Sequence, residues 1–182
     1  LFEAAERAVE LQRQGVIPET LDTQVVSKSP PSFPNGCHVA EVEIDADTGA
    51  VAIVNYVAVG DCGNVLDDTI VTGQIHGGVA QGLGQALTED TIYDAEGQLV
   101  SGSFMDYALP RADLMPDIIV EHNAVACRTN PLGVKGTGEA GTTAAPPAVI
   151  NAIIDALPNG AQLDMPATPE RIWKALRAAK PS

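Results

Sequence analysis

The chain has 182 residues, 45% of them hydrophobic and 19% charged, which suits one soluble core and excludes a disordered segment. Ten basic side chains against 24 acidic ones leave a net charge of −14, which argues against nucleic acid and anionic membrane surfaces as partners. Three cysteines with no C-x-x-C spacing and no histidine at ligand distance argue against a disulfide framework or a zinc or iron–sulfur site. No apolar run reaches the roughly 18 residues of a membrane span, and reduced thiols make the cytoplasm the expected compartment.

Leu1 to Gln14 reads as a short amphipathic helix with Phe2, Ala5 and Val9 on one side and Gly15 at its end. Residues 16–36 carry Pro18, Pro30, Pro31 and Pro34 and no period, so they read as an extended crossing segment. The expected division is therefore residues 1–36 as an N-terminal helix with a proline-rich extension, and 37–182 as the main domain. That domain opens with a hairpin: Val39 to Ile44, the turn Asp45-Ala-Asp-Thr-Gly49, then Ala50 to Val59. Val51, Ile53, Val57 and Val59 on one side, with Val54 and Tyr56 on the other, predict a second strand covered by helices on both faces.

Five glycines (73, 77, 78, 82 and 84) interrupt helical spacing over 68–89, each costing about 1 kcal/mol relative to alanine in a helix interior. Gly73 with Gly77, and Gly78 with Gly82, each bare one face of a helix expected near 74–88, either for tight helix packing or for a cofactor against its N-terminus. Gln74 there can donate and accept at once, as recognition of a heterocycle requires. His76 has no partner at metal spacing and reads as structural. Thr91 to Tyr93 and Gln98 to Tyr107, around the turn Asp94-Ala-Glu-Gly97, are expected as strands, as is Pro116 to Val125.

The segment 132–157 is a glycine loop feeding a buried helix. Gly133, Gly136, Gly138 and Gly141 surround Glu139, the only ionisable carboxylate in the loop, and Pro146 and Pro147 suit a first helical turn, giving a helix over 146–157. Gly136-Thr-Gly138-Glu-Ala-Gly141 satisfies the dinucleotide pattern G-x-G-x-x-G. The context disfavours that reading, because Arg128-Thr-Asn-Pro131 breaks the preceding strand and a carboxylate inside a pyrophosphate cradle repels the ligand. A lone glutamate presented by glycines reads instead as a general base. Thr168-Pro169-Glu170 then starts a helix over 169–179, completing an α+β fold: a mixed sheet with packed helices.

The succession Gly73-Gln74-x-x-Gly77-Gly78-x-x-Gln81-Gly82-x-Gly84, then Asp106-Tyr107, then Pro131-x-Gly133-x-Lys135-Gly136-x-Gly138-Glu139, then Asn151, then Thr168-Pro169-Glu170 resembles the C-terminal part of the molybdopterin-binding subunit of molybdenum hydroxylases. These are the xanthine dehydrogenase, aldehyde oxidoreductase and carbon monoxide dehydrogenase enzymes; the glycine motifs look nearer the carbon monoxide dehydrogenase and isoquinoline oxidoreductase branch. The resemblance implies part of an oxidoreductase that oxidises an aldehyde, an N-heterocycle or carbon monoxide with oxygen from water. It makes the glutamate matching Glu139 the base that takes a proton at the molybdenum centre, with no metal ligand from this chain. It also makes Gln74, Gly73, Gly77, Lys135, Gly136 and Gly138 contacts of a molybdopterin cofactor, often its cytosine dinucleotide. Fe–S clusters and FAD belong to partner domains or subunits.

The family's subunit is several times longer, and its upstream part supplies most of the substrate pocket. Three readings stay open: a domain of an intact enzyme, which Leu1 in place of Met favours; a small subunit that completes the site with the remainder; or a non-catalytic relic. In each the chain alone is expected to be inactive, and to expose an apolar, glycine-lined face through which it oligomerises.

Overall fold

The computed structural model describes residues 1–18, 25–28, 30–158 and 161–178. Parts of the proline-rich segment, and residue 179 at the end of the expected final helix, lie outside them. Two compact units meet in sequence between Pro30 and Pro31. The first holds helix α1 (Phe2–Arg13), followed by Gly15 at φ +68°, a left-handed conformation in which glycine carries no steric penalty.

In the second unit, strands β1 (Asn35–Ile44), β2 (Val51–Asp61) and β3 (Ile118–His122) form one sheet in that order, antiparallel then parallel. The hairpin turn closes because Asp45 Oδ1 accepts the Asp47 N–H at 2.8 Å and Gly49 takes φ +76°. Helices α2 (Asp68–Leu87), α3 (Ala140–Ala156) and α4 (Pro169–Ala178) complete the unit. The core joins Tyr56 and Ala58 of β2, Ile75, Val79 and Leu83 of α2, Val149 and Ile153 of α3, and Ile172 of α4. Each large side chain removed from water there contributes roughly 1.5–3 kcal/mol. Among the described residues no helix is long and apolar enough to cross a membrane.

One irregularity corrects the expected faces of β2. Glu41 pairs with Asn55 but Val42 pairs with Ile53, so Val54 is an extra residue in the ladder. Because side chains alternate, one inserted residue reverses the phase: Val51 and Ile53 share the core face with Tyr56 and Ala58, while Val54 is left 41% exposed. Only that face is packed among the described residues; Val39 and Ile119 stand exposed on the other.

The helices begin earlier than the glycines and prolines imply. Asp67 caps α2 by accepting the Ile70 N–H at 3.0 Å, so that helix starts before Gly73. In α3 the Thr143 N–H and hydroxyl both close on the Glu139 carbonyl, at 3.0 and 2.9 Å, starting the helix at Ala140 and putting Pro146 and Pro147 in its second turn. A proline there removes a backbone donor but its fixed φ still suits the helix. The expected strands over 91–107 reduce to one bridge, Tyr93 with Leu99. The bridge is a short hairpin, the Asp94 and Val100 N–H groups donating to the Gln98 and Ile92 carbonyls at 3.0 and 2.8 Å, and it goes no further because Ser101 captures the Ile92 N–H at 2.9 Å and Ser103 bonds Asp106.

Candidate functional site

Helices α2 and α3 approach through bare backbone. A Cβ on Gly141 would stand 2.5 Å from the Ile75 carbonyl oxygen and 2.8 Å from the Val79 nitrogen, and one on Gly78 would stand 2.9 Å from the Thr142 nitrogen. Gly82 meets Ala145 and Pro146 in the same seam, and Thr142 Oγ1 donates to the Gly78 carbonyl at 2.9 Å. This close approach offsets part of the helix-propensity cost of Gly78 and Gly82. Gly73 and Gly77 differ: nothing lies within 4 Å of where their Cβ atoms would be.

Where α3 starts, beside the ends of β1 and β2, lies a cavity of ≈ 460 Å³ bordered by Gly36, His38, Ile75, Gly136, Gly138 and Glu139 among others. Its lining is chiefly apolar. Glu139 is the N-cap residue of α3, yet its side chain caps nothing. Its backbone carbonyl is held by Thr143, while among the described residues the carboxylate makes no hydrogen bond or ion pair. The backbone is thus anchored and the acid group is free to act on a ligand.

The structure brings three of the sequence candidates, Glu139, Gly136 and Gly138, to the cavity. Gln74 does not border it but stands close by: its Oε1 is 3.7 Å from the position of a Cβ on Gly138, although the two lie 64 positions apart in sequence. Gly73 and Gly77 lie on the exposed side of α2 and do not border it. Lys135 is turned elsewhere: its Nζ lies 2.5 Å from Asp61 Oδ2, and both side chains are nearly buried. Asp61 also accepts the N–H groups of Gly63 and Val125 at 3.0 Å each. Lys135 foremost, then these amides, hold its carboxyl down at about 2. His76 bonds the Ile118 carbonyl at 3.2 Å, the structural role expected of it.

Two residues of this neighbourhood carry no signal in the sequence. Asp61 ends an apolar strand, and its partner lies 74 positions away. His38 sits in an alternating strand with no partner at metal spacing, and only the register of β1 against β2 brings it to Tyr56. The dinucleotide pattern finds no support in its surroundings: Gly141 is packed against another helix, and among the described residues no strand runs into Gly136, Val134 making only an isolated bridge to Gly63.

A mixed sheet packed by glycine-faced helices, with a free carboxylate set among glycines at one helix start, has the character of a cofactor-holding domain of a redox enzyme. The chain belongs to the molybdopterin cofactor-binding domain family of the molybdenum hydroxylases, matching the family over residues 2–116. The match ends before the loop of Glu139. The chain is 43% identical over 157 residues to the nicotine 6-hydroxylase large subunit of Paenarthrobacter nicotinovorans, covering 85% of this chain and 19% of that protein. It is 35% identical over 152 residues to the carbon monoxide dehydrogenase large chain of Hydrogenophaga pseudoflava, covering 81% and 19%. Among solved structures, quinoline 2-oxidoreductase from Pseudomonas putida 86 aligns with a TM-score of 0.77 at 43% identity, over 81% of this chain and 19% of that one. The chain therefore spans about a fifth of the length of these relatives.

Proposed function

We propose that this chain is the part of a molybdenum hydroxylase's large subunit that supplies the general base, Glu139, for oxidation of an aldehyde, an N-heterocycle or carbon monoxide with oxygen from water. One observation carries the proposal: a glutamate with an anchored backbone and an unengaged carboxylate borders an apolar cavity beside a glycine loop. A carboxylate oxygen of Glu139 accepts the proton released as oxygen is transferred.

The residues present fit molybdopterin. Positions Gly73, Gly77 and Gly136 have no atom within 4 Å of a would-be Cβ, as a planar group resting on backbone requires, and the Gln74 amide beside Gly138 offers a donor and an acceptor together. When bound, the molybdenum cofactor supplies the redox and Lewis-acid chemistry. Gln74, Gly73, Gly77, Gly136 and Gly138 would hold the pterin, as its cytosine dinucleotide, and Lys135 would contribute by fixing the loop through Asp61.

Fe–S and FAD groups on partner subunits would take the electrons, in a cytoplasmic oligomer. The names of the relatives, a large subunit and a large chain, support such an assembly. Coverage of about a fifth of each relative favours a second statement, that this chain alone is inactive and completes its site only with the rest of the subunit. Molybdenum content measured on the purified chain and on the assembled enzyme tests both. Stoichiometric metal in this chain alone would overturn the second statement, and none in the assembled enzyme would overturn the first.

A further inference from the structure

His38 borders the same cavity as Glu139, and the two are the titratable side chains of its lining. It stands on the packed face of β1, across the ladder from Ala58 and diagonal to Tyr56. Tyr56 is fully buried, and its hydroxyl lies 2.8 Å from His38 Nδ1, the rings meeting edge to face at 5.6 Å. A buried phenol hydroxyl must donate its proton, and Nδ1 is its acceptor among the described residues. The proton of the neutral imidazole is therefore on Nε2. A second ring proton would have to go on Nδ1, displacing the Tyr56 bond. Burial also pushes the His38 pKa down and the Tyr56 phenol up, so neither group charges easily. Nε2 has no partner among the described residues and is not itself a buried unsatisfied atom, so the N–H of this cavity-lining residue is open to a ligand.

We infer that His38 is a binding residue: its Nε2–H, fixed in place by Tyr56, donates to an uncharged lone-pair acceptor, a ring nitrogen or carbonyl oxygen, on the molecule that occupies the cavity. An anionic acceptor is disfavoured because the ring is neutral and the Glu139 carboxylate shares the space. The cavity then offers a fixed donor, and in Glu139 a free acceptor, in an apolar lining, which selects a heteroatom-bearing molecule over a hydrocarbon. The inference rests on the family-based reading above only for what fills the cavity, whose acceptor belongs either to the cofactor or to the substrate.

Two measurements test it. Long-range 1H–15N spectra of this chain, labelled at histidine, should show His38 neutral and protonated on Nε2 at pH 7, and Tyr56→Phe should mix the tautomers. A cation, or a proton on Nδ1, would overturn the inference whatever becomes of Glu139. In the assembled enzyme, His38→Leu should lose one neutral hydrogen bond, a factor of about 2–10. That loss falls in molybdenum retention if the acceptor is the cofactor's, or in KM at unchanged kcat and molybdenum content if it is the substrate's. His38→Gln, which restores an N–H near the Nε2 position, should recover most of it. Wild-type retention and KM in His38→Leu, or equal loss in the leucine and glutamine variants, would overturn it. Failure of the Glu139 assignment is read separately, as turnover in Glu139→Gln.

Discussion

Lys135 Nζ and Asp61 Oδ2 lie 2.5 Å apart with side chains only 10% and 8% exposed, and through this contact one carboxylate ties the end of β2 to the loop that presents Glu139. The other Asp61 oxygen holds Gly63 and Val125, and the Lys135 N–H adds a bond to the Cys62 carbonyl at 2.7 Å. Lys135→Met would leave Asp61 charged, enclosed and without its cation. Loss of one partner from a buried pair costs far more than loss of both, so Tm should fall by on the order of 10 °C, measured by calorimetry, with Asp61→Asn/Lys135→Met less affected than Lys135→Met alone.

The same carboxylate sets a pH dependence. Its folded pKa, about 2, lies below the unfolded value near 4, so its stabilisation is complete above pH ~4 and is lost as pH falls toward 2. Urea melts of the wild type and of Asp61→Asn should therefore converge as pH falls through that window. A stability gap unchanged from pH 6 to pH 2 would show that Asp61 is not held as an anion.

Glu139→Gln keeps the size of the side chain and removes its basicity. Since the carboxylate makes no bond within the described residues, Tm and molybdenum content should stay near wild type while turnover falls 10²- to 10⁴-fold, the usual cost of losing a general base. A variant with molybdenum and near-normal turnover would remove the assigned mechanism. The dinucleotide reading predicts the opposite, tighter binding once a negative charge is deleted.

Two adjacent glycines should answer differently to alanine. Gly77→Ala meets open space and gains helix propensity of up to about 1 kcal/mol, so thermal stability should rise by roughly 2–4 °C while molybdenum retention falls if the pterin rests there. Gly78→Ala drives a methyl group against Thr142 and Gly141 backbone and should destabilise by roughly 1–3 kcal/mol in denaturant melts. Equal behaviour of the two would contradict the division of α2 into a packed and an open face.

The difference between those glycines also marks what a sequence can carry. Both pairs are legible as bare helix faces, because spacing of four is a local property, but which face meets α3 depends on residues more than 60 positions away. The hairpin is legible from alternation and from Asp45 and Gly49. The extra residue at Val54 is not, since no apolar pattern distinguishes an insertion in the ladder from a strand covered on both sides. Glu139 stands out as a lone acid among glycines, whereas Asp61 and His38 are ordinary in composition and become distinctive only through Lys135 and Tyr56. The strands expected over 91–107 shrink to a short hairpin about Asp94 to Gly97, because Ser101 and Ser103 satisfy backbone and side-chain groups locally where the ladder would have continued.

The cavity is assembled from chain that leaves the ribosome at very different times. His38 emerges about a hundred residues before Glu139, and the space between them has no second wall until α3 has been made and docked on α2. Contacts of such long sequence separation form late, after local turns and helices. A molecule held by this whole lining must therefore wait until the chain has been made and folded through residue 144, and the docking of α3 on α2 at Gly78 and Gly141 sets when that can happen.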